Sequence, residues 1–141
     1  MTEGSHPNLL LVEDSEDDFY FFSRTFQQAG MNCILHRAAD GAEAIEFLQT
    51  ASKTETVPPI AFLDLKMPVL NGFEVLEWLQ TQPFASQIRV IALSGSERQD
   101  DKDRAAKLGA TEYLVKPIRV ADFHRLLREF CPATPEIGAH V

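Results

Sequence analysis

The chain of 141 residues is 45% hydrophobic with a net charge of −8, the size and make-up of one globular domain with a single core. That negative balance, with no cluster of Lys and Arg, excludes a general nucleic-acid surface, because phosphate contacts require grouped cations. The apolar runs are far shorter than the ~20 residues that cross a bilayer, and the start Met1-Thr2-Glu3-Gly4-Ser5-His6-Pro7 lacks the pattern of a secretion signal, so a cytoplasmic protein without membrane contact is expected.

Residues 1–7 read as a flexible N-terminal segment, 8–130 as the folded domain and 131–141 as a C-terminal tail. The first strand is predicted over 8–13, where Leu9-Leu10-Leu11-Val12 runs into Glu13 and Asp14. A first helix follows and closes at Gly30, where a residue without a Cβ suits the left-handed turn. It carries Phe19-Tyr20-Phe21-Phe22 and Phe26; four successive side chains do not share one helical face, so one or two of these aromatics are expected in solvent as a docking patch for a partner. The second strand is placed at 33–37. Its helix opens at Asp40-Gly41-Ala42-Glu43, an acceptor at the N-cap with Glu three residues on. Thr50 to Pro59 reads as an extended surface connection.

The third strand, 59–64, is a continuous apolar run of the kind covered on both faces, ending at Asp64. Asn71-Gly72-Phe73-Glu74 repeats the capping pattern at the third helix. The fourth strand, 88–93, leads into Ser94-Gly95-Ser96, and the fourth helix is almost wholly charged from Glu97 to Arg104 before Gly109 closes it. So few apolar anchors leave a helix that shifts at little cost. The fifth strand, 111–115, meets Lys116-Pro117, and the last helix, 119–130, aligns Val120, Phe123, Leu126, Leu127 and Phe130 on one stripe. Alternating strands and helices of this kind make an α/β, doubly wound, five-stranded parallel sheet with five helices. Cys33 and Cys131 have no metal-ligand spacing and are expected as thiols rather than a bridge.

Glu13, Asp14, Asp64, Ser94 and Lys116 thus fall at strand ends that share one edge of a parallel sheet. Acids crowded there repel by roughly 4 kcal/mol per pair at about 4 Å and an effective dielectric of ~20, so a divalent cation among them makes chemical sense. A nucleotide or flavin does not: the loop Glu13-Asp14-Ser15-Glu16-Asp17-Asp18 would repel a phosphate, and the chain has no G-x-G. Capping explains Glu16 and Asp17, but not Asp64, which is followed by Leu65-Lys66-Met67-Pro68 with no helix start before Asn71.

The set Leu11-Val12-Glu13-Asp14, Phe62-Leu63-Asp64-Leu65-Lys66-Met67-Pro68-Val69-Leu70-Asn71-Gly72, Ala92-Leu93-Ser94-Gly95 and Tyr113-Leu114-Val115-Lys116-Pro117 resembles, in order and separation, the CheY-like receiver domain of bacterial response regulators. The resemblance spans 8–130. It implies a flavodoxin-like sheet in the order 2-1-3-4-5 and a single-domain response regulator of a two-component phosphorelay, acting on another molecule because the tail is too short for an output domain. It implies Asp64 as phosphoacceptor, fed by a sensor histidine kinase or histidine phosphotransfer protein. It further implies Mg²⁺ held directly by Asp14 and Asp64, through water by Glu13, and by the backbone carbonyl of Lys66, with Lys116 and the Ser94 hydroxyl neutralising the phosphoryl oxygens.

By the same resemblance Ser94 and Tyr113 form the switch, Lys66 and Ser96 influence how long the phosphoryl group survives, and Glu13 stands where aspartate is commoner. Asp18 resembles its counterpart in stand-alone receivers partnered with light-sensing phytochrome kinases. Receivers also pair through the fourth helix, fifth strand and fifth helix, where Arg119, Arg125 and Arg128 face the acids Asp100, Asp101 and Asp103 as candidates for a homodimer. A phosphatase of the haloacid dehalogenase type is disfavoured, since its D-x-D pattern needs an acid where Lys66 stands. The expectation is therefore a phosphoacceptor that assists its own phosphorylation and dephosphorylation, not an enzyme acting on other substrates.

Overall fold

A computed structural model describes residues 7–68 and 70–130. Five strands, β1 (Asn8–Val12), β2 (Ile34–Ala38), β3 (Ile60–Asp64), β4 (Arg89–Ser94) and β5 (Glu112–Val115), alternate with five helices, α1 (Glu16–Ala29), α2 (Gly41–Lys53), α3 (Gly72–Gln80), α4 (Gln99–Lys107) and α5 (Val120–Leu127), with a short 3₁₀ turn at Ala85–Gln87. Every strand pair is parallel and the order is β2-β1-β3-β4-β5. The expected flavodoxin-like architecture is the one observed.

Strand alternation divides the core into two layers, because successive side chains leave opposite faces of the sheet. Leu10, Val12, Ala61, Leu63, Val90 and Ala92 face Leu48 of α2, Leu76 and Leu79 of α3 and Ala105 of α4. Leu9, Leu11, Ile60, Phe62, Ile91 and Leu93 face Phe22 of α1 and Phe123 and Leu127 of α5. The chain leaves β1 for β2 on one side and returns to β3 on the other, so the carboxyl ends of β1 and β3 open into a crevice where the order reverses.

The helix ends follow side-chain chemistry, with local departures from the predicted bounds. Asn71 and Glu74 form a reciprocal capping box at α3, whereas at α2 Asp40 accepts the Glu43 N–H while the Glu43 carboxylate reaches the Ala39 N–H. Gly30 closes α1 at φ 68° and Gly109 follows α4 at φ 103°. Residues Thr50 to Lys53 belong to α2 rather than to the connection before β3, because Leu48 and Ala51 carry the buried stripe further along the helix. Cys33 precedes β2 instead of lying in it, α5 ends at Leu127 with 128–130 in a turn, and Cys131 and the tail lie outside the described residues.

On α4, Ala105 alone is buried, in keeping with its charged sequence. Two of its acids and one α5 arginine are paired within the chain: Arg125 with Glu112 at 2.7 Å, Asp100 with Arg98 at 3.1 Å and Asp101 with Lys66 at 3.5 Å.

Candidate functional site

β1 ends at Val12, where its apolar run stops, so that Glu13 and Asp14 follow at the strand's carboxyl end, and Ser15 then caps α1 by accepting the Asp18 N–H at 3.2 Å. The intervening turn is pinned from β2: the Arg37 guanidinium donates to the Glu13 carbonyl at 2.9 and 3.1 Å, pairs with Glu16 at 3.0 Å and lies over the Phe19 ring. The result fixes two neighbouring acids at the crevice, Glu13 turned inward and Asp14 toward solvent.

Asp64 ends β3 opposite Leu93 of β4, so Ser94 lies one residue beyond it at the same edge. Asp64 Oδ1 accepts the Lys66 N–H at 3.0 Å, which orients the carboxylate. Gly72 is pressed against this turn so closely that a Cβ there would lie 2.5 Å from the Asp64 carbonyl oxygen. Ser94, fully buried, accepts the Ser96 N–H at 3.0 Å through its hydroxyl, and the Tyr113 hydroxyl donates to the Ser96 carbonyl at 2.8 Å.

Glu13, Asp14 and Asp64 each bring one carboxylate oxygen to within 4.8 Å of the others. Lys116 reaches the same place from the end of β5. Its ammonium is 2.8 Å from Glu13 Oε1, 2.8 Å from Asp18 Oδ2 and 3.5 Å from Asp64 Oδ2. Burial raises Glu13 from 4.5 to about 7, with the Asp64 charge adding and the Lys116 hydrogen bond opposing. For Lys116 burial acts downward, yet the hydrogen bonds to Asp18 and Glu13 and the charge of Asp64 outweigh it and hold the ammonium above its usual range. One lysine therefore does not satisfy the acids around it. Three converging carboxylates, one of them reluctant to ionise, suit a hard divalent cation that takes oxygen ligands.

The strand ends thus bring Glu13, Asp14 and Asp64 within 4.8 Å of one another and Lys116 onto Glu13 and Asp64, with Ser94 at the neighbouring strand end, the Lys66 N–H on Asp64 and Tyr113 bonded to Ser96. Two residues gained their contacts at the site only in three dimensions. Asp18 is marked in sequence by its resemblance to phytochrome-partnered receivers, but nothing in the run of acids says that it is the one turned toward Lys116. Gly72 reads as part of a capping pattern, and its packing on Asp64 has no separate sequence signal.

Residues 9–128 match the family model described as the response regulator receiver domain. The chain belongs to that family. It is 27% identical to the polar-differentiation response regulator DivK of Brucella anthropi over 87% of this chain and 94% of DivK. Among solved structures it is similar to the bacteriophytochrome response regulator AtBRR, at 28% identity and TM-score 0.75 over 89% of this chain and 93% of that one. It is also similar to the response regulator RPA3017 in red light signalling of R. palustris, at 30% identity and TM-score 0.72 over 87% and 90%. This receiver domain is a response regulator of two-component signalling, a family of phosphoacceptor modules that bind Mg²⁺ at an acidic pocket and interact with histidine kinases or phosphotransfer proteins. Among the described residues no helix is long and apolar enough to cross a membrane.

Proposed function

We propose that this receiver accepts a phosphoryl group on Asp64 from a phosphohistidine of a sensor kinase or phosphotransfer protein, and thereby changes its contacts with a further protein in the cytoplasm. The observation that carries this reading is the convergence of Glu13, Asp14 and Asp64 within 4.8 Å beside the Lys116 ammonium. In the transfer an Asp64 oxygen attacks phosphorus, the bond to the histidine nitrogen breaks, and its electron pair returns to the imidazole. Asp14 and Asp64 directly, Glu13 through water, and the Lys66 carbonyl would hold Mg²⁺. That ion supplies charge neutralisation for the phosphoryl oxygens.

The remaining roles fall to the chain itself. The Lys66 N–H keeps Asp64 Oδ1 occupied and the side chain oriented. Lys116 balances the acids before transfer and offers its charge to a phosphoryl oxygen afterwards. Ser94, at the neighbouring strand end, donates its hydroxyl to another oxygen, and Tyr113, tied to Ser96 next to it, repositions as that hydroxyl moves. α4, anchored by Ala105, transmits the change. The protein thus assists chemistry on its own carboxylate and turns over no separate substrate.

The source of the phosphoryl group that we favour is a light-sensing phytochrome kinase, supported by the likeness to AtBRR and RPA3017. Pairing of two copies through α4, β5 and α5 would rest on Arg119 and Arg128, since Arg125 is paired within the chain to Glu112. Incubation with acetyl phosphate and Mg²⁺ tests the central reading. One acid-stable, base-labile phosphoryl adduct is expected, lost in Asp64→Asn. An adduct that survives this substitution would overturn it.

A further inference from the structure

Lys116 is the cation that a phosphorylated Asp64 would require, yet in the unmodified protein it is closer to α1 than to Asp64. Its ammonium gives one hydrogen bond to Glu13 and one to Asp18, both at 2.8 Å, while Asp64 Oδ2 stands at 3.5 Å. Asp18 is not one of the three carboxylates that converge for a cation. Nor is it only a helix-start acid: Glu16 and Asp17 in the same turn are exposed, whereas Asp18 Oδ2 is turned across the crevice to Lys116. The pair lines a cavity of about 100 Å³ together with Phe21, Phe22, Leu93 and Ile118. Apolar walls of this kind weaken screening and make the attraction more effective than on open surface.

We propose that Asp18 is a positioning residue that draws the Lys116 ammonium toward α1 and so competes with the phosphoryl group of Asp64 for it. The proposal rests on Asp64 being the phosphoacceptor. Two consequences of opposite sign follow from the charges. With Asp18 neutralised, Lys116 is shared by Glu13 and Asp64 alone, so an anionic phosphoryl group on Asp64 meets a more available cation and binds more tightly. The same shift puts positive charge nearer the oxygens that hold Mg²⁺ and removes a negative charge from the site, so the metal binds more weakly. A purely structural role for Asp18 would weaken both together.

The full chain is titrated with Mg²⁺ alone, and with beryllofluoride at saturating Mg²⁺, in wild type, Asp18→Asn, Asp18→Glu and Asp17→Asn. Asp18→Asn is expected to tighten beryllofluoride by about three- to fivefold, the scale of a partly exposed ion pair, and to weaken Mg²⁺ by a similar factor. Asp18→Glu is expected to return both affinities toward wild type, and Asp17→Asn, which removes the same charge from the same turn without touching Lys116, to leave both unchanged. Asp18→Asn behaving like Asp17→Asn, or weakening both ligands, would overturn the proposal while leaving Asp64 as phosphoacceptor. Failure of the wild type to bind beryllofluoride would overturn both.

Discussion

Glu13 and Lys116, 103 positions apart in the chain, meet at 2.8 Å, and Glu13 is still held up at about 7 because burial outweighs its cationic partner. The folded protein therefore binds the Glu13 proton more tightly than the unfolded chain does. The stability from this group is fully present below about 4.5 and is lost as pH rises through about 7. Urea midpoints of the metal-free protein are expected to fall across that window relative to Glu13→Gln, which lacks the titrating group. Mg²⁺ selects the carboxylate form, so its affinity, read by calorimetry, should rise with pH over the same range. Midpoints that track those of Glu13→Gln at every pH would refute the burial argument.

Gly72 controls the shape of the turn that carries Asp64. A methyl group there meets the Asp64 carbonyl oxygen at 2.5 Å and the Leu65 Cα at 2.7 Å, and backbone atoms do not give way as a side-chain end does. Gly72→Ala should cost about 1–3 kcal/mol in urea unfolding, the range of overpacking, and slow phosphorylation by acetyl phosphate because Asp64 is displaced. A variant as stable and as quickly modified as wild type would show that the turn has slack.

Phe123 of α5 is fully buried and meets the rings of Phe22, Phe26 and Phe62 at centroid distances of 5.0, 5.5 and 5.7 Å, all edge-on. Phe123→Ala removes the common partner of three rings and is expected to cost about 3–5 kcal/mol. Denaturant unfolding measures it. A loss under about 1 kcal/mol would mean that the layer between α1 and α5 collapses into the space.

Tyr20 and Phe21 are 56% and 59% exposed on α1, and Phe21 borders the crevice that holds Lys116. Serine at either position should change stability by less than about 0.5 kcal/mol and slow transfer from the phosphorylated kinase while leaving modification by acetyl phosphate intact. Unchanged transfer would remove α1 as the docking face.

The sheet was legible in the chain because β1, β3 and β4 are covered on both faces and so spell out continuous apolar runs. The edge strand β2 was less so: its residues are half exposed, with Ile34 47% accessible, and it runs one residue later than the expected 33–37. The end of α2 was hidden among the Ser, Thr and Lys of a stretch that looks like loop. In the aromatic run of α1, helical spacing required that some rings face outward; the packing of Phe22 on Phe62 and Phe123 decided which.

Sequence alone determined the alternation of strands and helices, the acids and lysine at the strand ends, and hence the family, because those features depend on local periodicity and on the direction of the chain. Only the tertiary structure decided that Lys116 leans on Glu13 and Asp18 more closely than on Asp64, that Glu13 is the acid driven upward, and that Gly72 abuts the Asp64 backbone. Those facts depend on distances between residues far apart in the chain, and such distances are set by how five parallel strands stack their ends, not by any neighbour in sequence.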